Sequence, residues 1–207
     1  MLLGGISIFY SQANQDKWVC DFLNNKRNGY FIDVGAYDGI LMSNTFFLEK
    51  ELGWNGICIE AESSLFDRLV QNRSSINIKI AVSNFDGFCA WGGDRVLALG
   101  EPIIECKTLE SILVSAKANK KIDYLSLDIE GGEFDALASL NFSYWDIGMM
   151  TVEHNLFCSD SVSKDRVYEL LSKNNFTRVV EDAVCLDSNP AFYNKPFEDW
   201  YVNNNLL

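Results

Sequence analysis

Short apolar runs alternate with amphipathic stretches along most of the chain. The runs are rich in Ile, Val and Phe, which is typical of strands buried on both faces of a parallel sheet. They predict six strands, at residues 30–34, 56–60, 76–82, 122–128, 147–153 and 176–181. Helical spacing lies between them, including a stretch after residues 131–132, and four stretches open on a hydroxyl suited to cap a helix: Ser43, Ser63, Thr108 and Ser163. This alternation predicts an α/β fold, with a mostly parallel sheet covered by helices on both faces.

Two regions break the alternation. Residues 84–105 are rich in glycine and predict turns and a hairpin that forms a lid or a substrate wall. After Asp182, strand-like pieces at 184–186 and 200–202 are separated by a polar loop, which predicts an antiparallel edge of the sheet. The chain has no internal repeat and no linker, so we expect one domain over residues 1–207.

Composition and charge indicate which partners, location and metal sites to expect. The chain has 207 residues, of which 48% are hydrophobic, and a net charge of −12. This acidity argues against nucleic acid as a partner, because phosphate contacts need a basic face. No run approaches the ~18 apolar residues of a transmembrane helix, and the first residues lack a basic stretch, so we expect a cytoplasmic protein. The six cysteines include no CxxC pair, which predicts reduced thiols rather than a zinc site.

The strongest local motif is Phe-Ile-Asp-Val-Gly-Ala-Tyr-Asp-Gly at 31–39, where a buried strand runs into an acidic, glycine-spaced turn. Ligands of doubly wound sheets bind at such turns. A dinucleotide fingerprint would also need glycine at positions 37 and 40, which are Tyr37 and Ile40. Carboxylates at Asp33 and Asp38 would repel a pyrophosphate and suit a cationic sulfonium. An NAD-dependent oxidoreductase is therefore the weaker alternative.

The second motif is a carboxylate, Glu60, which ends the next strand 21 residues beyond Gly39. A carboxylate at this place can accept hydrogen bonds from both hydroxyls of a ribose. Asp33, Gly35, Gly39 and Glu60 together describe an adenosine site without a pyrophosphate, and S-adenosylmethionine fits that description. A structural strand–turn–helix with solvated acids would explain either motif alone.

Acidic residues and the single histidine follow the next two predicted strands. Asp128, Glu130 and Glu133 lie within six residues, and such a group needs a cation among its members: a sulfonium, a substrate amine or a metal. His154 follows Glu153 at the end of the neighbouring strand, where it would act as the base that takes a proton from an acceptor hydroxyl. Alternatively, Asp128, Glu153 and His154 would bind Mg²⁺ or Mn²⁺.

Taken in order, the motifs resemble the FkbM-type methyltransferases, which are class I S-adenosylmethionine-dependent enzymes. The segments that carry the resemblance are residues 10–16, 31–39, 43–45, 53–60, 72–73, 123–133, 153–155 and 199–202. The resemblance implies a seven-stranded Rossmann-like sheet with an antiparallel last strand, bound S-adenosylmethionine, and O-methylation, often of a sugar or polyketide hydroxyl. It also implies that Gln12, Gln15 and Asp16 close over the cofactor, although these residues also suit an N-terminal helix with polar caps.

The predicted site residues fall into a catalytic set and a cofactor-binding set. Ser43, Asn44 and Thr45 either bind the cofactor carboxylate or cap a helix, and the role of Arg73 is open between offsetting acidity and anchoring a loop. The predicted catalytic residues are Asp128, Glu130, Glu153 and His154. The predicted cofactor-binding residues are Gln12, Gln15, Asp16, Asp33, Gly35, Ala36, Asp38, Gly39, Ser43, Asn44, Thr45, Glu60, Ala61, Ser83 and Asp128.

The function that the sequence favours is O-methylation of a sugar, glycoconjugate or similar small molecule by S-adenosylmethionine. The alternatives are the NAD-dependent oxidoreductase and a nucleoside-binding module without catalysis. Trp91 and the pair Phe192–Tyr193 are expected to form part of the acceptor wall, since aromatic rings stack on sugars.

Overall fold

The computed structural model describes residues 9–90, 103–154, 162–186 and 193–207. Helices and strands alternate along these ranges, except at residues 76–107 and 176–203, where strands follow one another. In chain order they are α1 (Gln15–Phe22), β1 (Tyr30–Val34), α2 (Phe46–Leu52), β2 (Asn55–Glu60), α3 (Ser63–Asn72), β3 (Ile76–Lys79), β4 (Ala81–Val82), β5 (Gly87–Ala90), β6 (Ile103–Lys107), α4 (Leu109–Ser115), β7 (Lys121–Leu127), α5 (Glu133–Ala138), β8 (Asp146–Glu153), α6 (Val162–Lys173), β9 (Phe176–Val184) and β10 (Pro196–Asn203), followed by a 3-10 turn.

Within the described residues, seven strands form one sheet in the order β3-β2-β1-β7-β8-β10-β9. Neighbouring strands from β3 to β8 pair in parallel, whereas β10 runs antiparallel to both β8 and β9. The predicted fold, a mostly parallel sheet with an antiparallel C-terminal part, is thereby confirmed. From β1 the chain adds β2 and β3 on one side of the sheet, and β7 then pairs with the other side of β1. A ligand crevice is expected at the carboxyl ends of β1 and β7, where the strand order reverses.

The core lies on both faces of the sheet because successive strand residues point to opposite sides. On one face, Ile32 and Leu125 pack with residues of α4, α5 and α6. On the other, Phe31 and Tyr124 pack with residues of α1, α2 and α3. Asp33 follows Ile32 in β1 and therefore points to the α1–α3 side, which places a carboxylate within an apolar layer.

The ends of the helices differ in detail from the sequence prediction. Thr108 caps α4 as predicted, since its hydroxyl accepts the N–H of Ser111. The cap of α3 is Glu62 rather than Ser63, because its carboxylate accepts two N–H groups of the first turn. Ser163 lies within α6 and is not its cap. Ser43 lies three residues before Phe46, the first residue of α2, and its Oγ accepts the N–H of Phe46.

A small second sheet holds β4, β6 and β5 in that order. The antiparallel pair β5–β6 is the hairpin predicted for the glycine-rich region. The predicted strand 76–82 is divided, with β3 in the large sheet and β4 in the small one. Of the predicted acceptor wall, Trp91 and Phe192 lie outside the described residues, whereas Tyr193 is exposed. No helix in the described ranges is both long enough and apolar enough to cross a bilayer.

Candidate functional site

A cavity of about 510 Å³ opens at the carboxyl ends of β1, β2 and β7. Its wall includes many of the residues predicted to bind the cofactor or to act in catalysis. They are Gln12, Asp33, Gly35, Ala36, Ser43, Asn44, Glu60, Ala61, Asp128 and Glu130. The structure thus brings residues of five separate sequence segments to one crevice, at the switch point of the sheet.

The carboxylate of Glu60 is held in the cavity wall by the backbone. Its two oxygens accept hydrogen bonds from the N–H groups of Tyr37 at 2.9 Å and Glu62 at 2.8 Å. Burial raises the pKa of Glu60, and these backbone hydrogen bonds act to lower it. A carboxylate has about four acceptor positions. The two backbone donors fix its orientation and leave acceptor capacity for a ligand with hydroxyl groups.

Asp33 lies in the same wall but contacts different partners. Its carboxylate accepts the hydroxyl of Thr45, and the guanidinium of Arg73 stands 3.9 Å from the Oδ2 atom. Burial raises the pKa of Asp33, whereas the charge of Arg73 and the hydrogen bond from Thr45 act to lower it. The buried acid is therefore compensated from behind, on the side away from the cavity.

Gly35 and Gly39 of the first motif are each required by the local backbone and packing. Both have positive φ, +85° at Gly35 and +82° at Gly39. A Cβ at Gly35 would lie 1.7 Å from the carbonyl oxygen of Asp128, and one at Gly39 would lie 2.7 Å from Cγ of Arg73. Both glycines were predicted to bind the cofactor. The structure shows close approach of the protein's own residues at both positions, and only Gly35 is part of the cavity wall.

Ser43 and Asn44 belong to the wall and also hold the loop before α2. Ser43 Oγ accepts N–H groups at the start of α2, which is the capping role of the two proposed for this segment. The amide of Asn44 donates to Ser126 Oγ at 2.9 Å. Ser126 also lines the cavity and was missed in the sequence. Residues two apart on a strand share a face, so its spacing from Asp128 was a usable signal.

Several predicted cofactor residues lie outside the wall. Asp38 Oδ1 accepts the N–H groups of Ile40 and Leu41, which closes the turn after β1. The backbone N–H of Ser83 bonds to β6. Thr45 is likewise absent from the wall, and its hydroxyl donates to the carboxylate behind it instead. These three residues support the structure around the cavity and do not face into it.

Gln15 and Asp16 also lie outside the wall, although they were predicted to close over the cofactor. Both are buried at the start of α1. Their side chains accept the backbone N–H groups of Ala13 and Tyr10. The alternative interpretation of these residues, an N-terminal helix with polar caps, describes their contacts better.

The N-terminal segment reaches the cavity through a single predicted residue. Gln12 lines the wall, and its amide nitrogen lies 2.8 Å from the sulfur of Met42. Ser11 forms an isolated bridge with the same residue, Met42. The segment before α1 therefore lies against the loop that follows β1, which is the position predicted for a cover over the cofactor.

Three carboxyl groups meet beside the end of β7. Oxygens of Asp128, Glu130 and Glu153 lie within 4.8 Å of one another. Burial raises the pKa of Glu153 well above its usual range, and the charge of Asp128 raises it further. Burial also raises the pKa of Asp128, against a lowering by its hydrogen bond with Glu153. Glu153 and Asp128 are thus a hydrogen-bonded carboxyl pair in which burial favours the protonated forms. The Oε2 atom of Glu153 has no hydrogen-bond partner among the described residues.

His154 belongs to a different group of charged residues. Its Nε2 atom is 3.4 Å from carboxylate oxygens of Asp182 and Asp199, and the ammonium of Lys164 is 2.6 Å from the same Asp182 oxygen. The set Asp128, Glu153 and His154, predicted as metal ligands, is thus divided between two clusters. The prediction failed because Glu153 and His154 are adjacent, and neighbouring residues of an extended chain point to opposite sides. The division gives no support to a divalent metal on this set.

Comparison with known proteins gives a family match over part of the chain. Residues 97–178 match the model of the methyltransferase FkbM domain. The predicted resemblance to FkbM-type methyltransferases is confirmed. No curated protein sequence matches the chain. The FkbM-type match spans β6 to α6 and includes Asp128, Glu130, Glu153 and His154, whereas Asp33 and Glu60 precede it.

Solved structures agree on the fold. A putative rRNA-methylase from Clostridium thermocellum superposes with a TM-score of 0.52 at 12% identity, covering 95% of this chain and 97% of that chain. A human methyltransferase 10 domain containing protein gives 0.52 at 11% identity, with 93% and 81% covered. The METTL16 methyltransferase domain gives 0.53 at 12% identity, with 91% and 65% covered. At these identities the likeness shows the fold alone, and this chain shares the class I methyltransferase fold with these structures.

Proposed function

We propose that the protein transfers the methyl group of S-adenosylmethionine to a hydroxyl group of a sugar, glycoconjugate or similar small molecule, in the cytoplasm. The observation that carries the cofactor part is the geometry of Glu60. Its carboxylate is buried in the cavity wall, held by two backbone N–H groups, and keeps acceptor capacity toward the cavity. A vicinal diol such as that of a ribose satisfies this capacity with two hydrogen bonds.

The remaining wall suits the other parts of the same cofactor. Leu65, Ile80, Val82 and Ile129 provide apolar contact for an adenine ring. Asp33, Asp128 and Glu130 provide negative charge for the ammonium and the sulfonium. NAD fits this wall less well, because its pyrophosphate would lie among these carboxylates. When bound, S-adenosylmethionine supplies an activated methyl group, so the protein has to orient the acceptor and accept its proton.

The pair Asp128–Glu153 is best placed to handle that proton. Asp128 lines the cavity, and Glu153 stands behind it with one oxygen that no described residue contacts by a hydrogen bond. We predicted His154 for this task, but its imidazole faces Asp182 and Asp199 and is not part of the wall. In our proposal Asp128 accepts the proton of the acceptor hydroxyl, Glu130 binds the acceptor, and His154 supports the strand end from the other side.

The acceptor class rests on the FkbM-type match and on charge. A net charge of −12 disfavours a nucleic acid, whose phosphates would be repelled. A neutral sugar or glycoconjugate meets no such barrier. An acceptor panel of sugars, glycoconjugates, amines and RNA oligonucleotides separates these classes. Methylation of RNA alone would overturn the proposed acceptor, and methylation of an amine alone would overturn O-methylation.

Calorimetry with S-adenosylhomocysteine and NAD tests the cofactor. The wild type should bind the former and not the latter. Glu60→Gln should weaken S-adenosylhomocysteine binding by about 10- to 100-fold, since a hydrogen bond to a charged group contributes about 1.5–3 kcal/mol. Glu110→Gln is a matched control, because Glu110 Oε2 accepts two N–H groups away from the cavity. Binding of NAD alone would refute the proposal, and binding without methylation across the panel would favour the non-catalytic module.

A further inference from the structure

Arg73 lies directly after α3, beneath the loop that joins β1 to α2. Its side chain is fully buried, and it is not among the residues of the cavity wall. The loop above it, residues 35–45, supplies much of that wall. The sequence alone leaves the role of Arg73 open between offsetting acidity and anchoring a loop.

Every nitrogen of the guanidinium has a partner. Nε donates to Glu49 at 2.7 Å, and Nη2 donates to the hydroxyl of Thr45 at 2.9 Å. Nη1 donates to the carbonyl of Gly39 at 3.3 Å and to Ser43 Oγ at 3.4 Å. The guanidinium thus joins α2 to three points of the loop. Its planar group has donors in fixed directions, which suits it to bind several acceptors at once.

The preceding residue adds a fourth point. The amide of Asn72 donates to the carbonyl of Asp38 at 2.8 Å. Gly39 itself has no room for a side chain, because Arg73 and Leu69 occupy the place of its Cβ. The end of α3 and the loop therefore fit each other in one arrangement.

Electrostatics makes this arrangement hard to replace. Two carboxylates, Glu49 and Asp33, are buried beside Arg73, and buried charges are costly unless they are paired. Burial acts to raise the pKa of Glu49, but the charge of Arg73, with the N–H of Ser74, lowers it to about 2. Glu49 is therefore ionised and anchors the guanidinium, which leaves its remaining donors directed at the loop.

We propose that Arg73 is a positioning residue for cofactor binding, which holds Thr45, Ser43 and the Gly39 carbonyl so that Asp33 and the loop present their binding surface. This inference rests on the proposed function, since Asp33, Ser43 and Asn44 line the cavity that we assign to S-adenosylmethionine. Arg73 acts from behind: through Thr45 it fixes the Asp33 carboxylate, and through Ser43 it fixes the start of α2. Loss of Arg73 should weaken cofactor binding more than acceptor binding.

The test is Arg73→Lys, which keeps the charge and removes the fork. We expect S-adenosylhomocysteine affinity to fall about tenfold or more, with the acceptor KM and the kcat at saturating S-adenosylmethionine changed less than about threefold. Arg178→Lys is the matched control, since Arg178 also pairs through its fork with two carboxylates, Asp199 and Glu181, and lies outside the wall. It should leave cofactor affinity within about twofold.

Asn72→Ala provides a milder second variant if Arg73→Lys does not fold. It removes a single hydrogen bond to the loop and should weaken S-adenosylhomocysteine binding about threefold or more. A folded Arg73→Lys or Asn72→Ala protein with wild-type affinity would overturn the positioning role, as would an equal loss in Arg178→Lys. Absence of binding by the wild type would instead overturn the proposed function, so the two failures are distinguishable.

Discussion

The backbone of Gly35 passes so close to Asp128 that a methyl group on Gly35 would lie 1.7 Å from the Asp128 carbonyl oxygen. Hydrogen bonds hold this approach in place. The N–H of Asp128 donates to the carbonyl of Val34, and the N–H of Gly35 donates to that of Ile59. The ends of β1, β2 and β7 are thereby joined at the floor of the cavity, and the position of Asp128 depends on the absence of a side chain at residue 35.

Gly35→Ala should consequently be strongly destabilising. The added methyl group meets backbone that cannot move without separating β1 from β7, and the φ of +85° is itself unfavourable for alanine. We expect a loss on the order of 4 kcal/mol or failure to fold. Gly131→Ala is the control, since its φ is +117° but no atom lies within 4 Å of the added group. Urea unfolding of both variants measures the difference, and equal losses would contradict the steric explanation.

The sheet was predictable because its central strands are buried on both faces. This burial makes them continuous apolar runs, and β1 has the predicted bounds, Tyr30–Val34. The acidic residues at strand ends were also predictable as a group, since parallel strands bring their carboxyl ends to one edge. Asp33, Glu60 and Asp128 accordingly meet in one cavity.

The direction of individual side chains was not predictable from the sequence. Glu153 and His154 stand next to each other in the chain, yet they join different charged clusters. Asp38 looks like a ligand in the motif but closes its own turn. Arg73 belongs to the segment 72–73, which does not reveal its partners in the sequence, and its role follows only from the packing of α3 against a loop that is distant in sequence.

The assignment of the proton acceptor gives a second prediction. Glu153→Gln replaces the carboxyl partner of Asp128 by an amide of the same shape that cannot take up a proton, so turnover should fall about 100-fold, the usual scale of general acid–base catalysis. S-adenosylhomocysteine affinity should stay within about threefold, because Glu153 lies outside the wall. His154→Gln is the comparison, and we expect a smaller loss of turnover. A near-complete loss in His154→Gln beside an active Glu153→Gln would return the base to His154.

Glu198 should make the stability of the protein depend on pH. Its carboxyl group is fully buried on β10, and burial raises its pKa to about 8 against the lowering effect of hydrogen bonds from Trp200, Gln15 and Thr151. The folded state therefore holds a proton that the unfolded chain releases near its ordinary pKa of 4.5. The stabilisation is complete below about pH 4.5 and is lost as the pH rises to about 8, with a slope of up to about 1.4 kcal/mol per pH unit.

Glu198→Gln isolates this effect. Glutamine has the same shape and remains neutral, so the variant should gain stability relative to the wild type as the pH is raised from 5 to 8. Urea unfolding at several pH values gives the free energy of unfolding of each protein. Other titrating groups cancel in the difference between the two. Parallel curves across this range would show that Glu198 is not protonated in the folded protein.

Glu49 should produce the opposite dependence in acid. Its pKa is about 2 in the folded protein, since the charge of Arg73 and the N–H of Ser74 outweigh the effect of burial. A lowered carboxyl pKa gives stability that is present above about pH 4.5 and is lost as the pH falls toward 2.

Glu49→Gln leaves Arg73 with an incomplete set of partners, so it should cost on the order of 3 kcal/mol at pH 7. The difference from the wild type should shrink at pH 4 and again at pH 3 in urea unfolding, because the wild type alone has this carboxylate to protonate. A difference that stays constant down to pH 3 would mean that packing, and not the charge of Glu49, is what Arg73 requires.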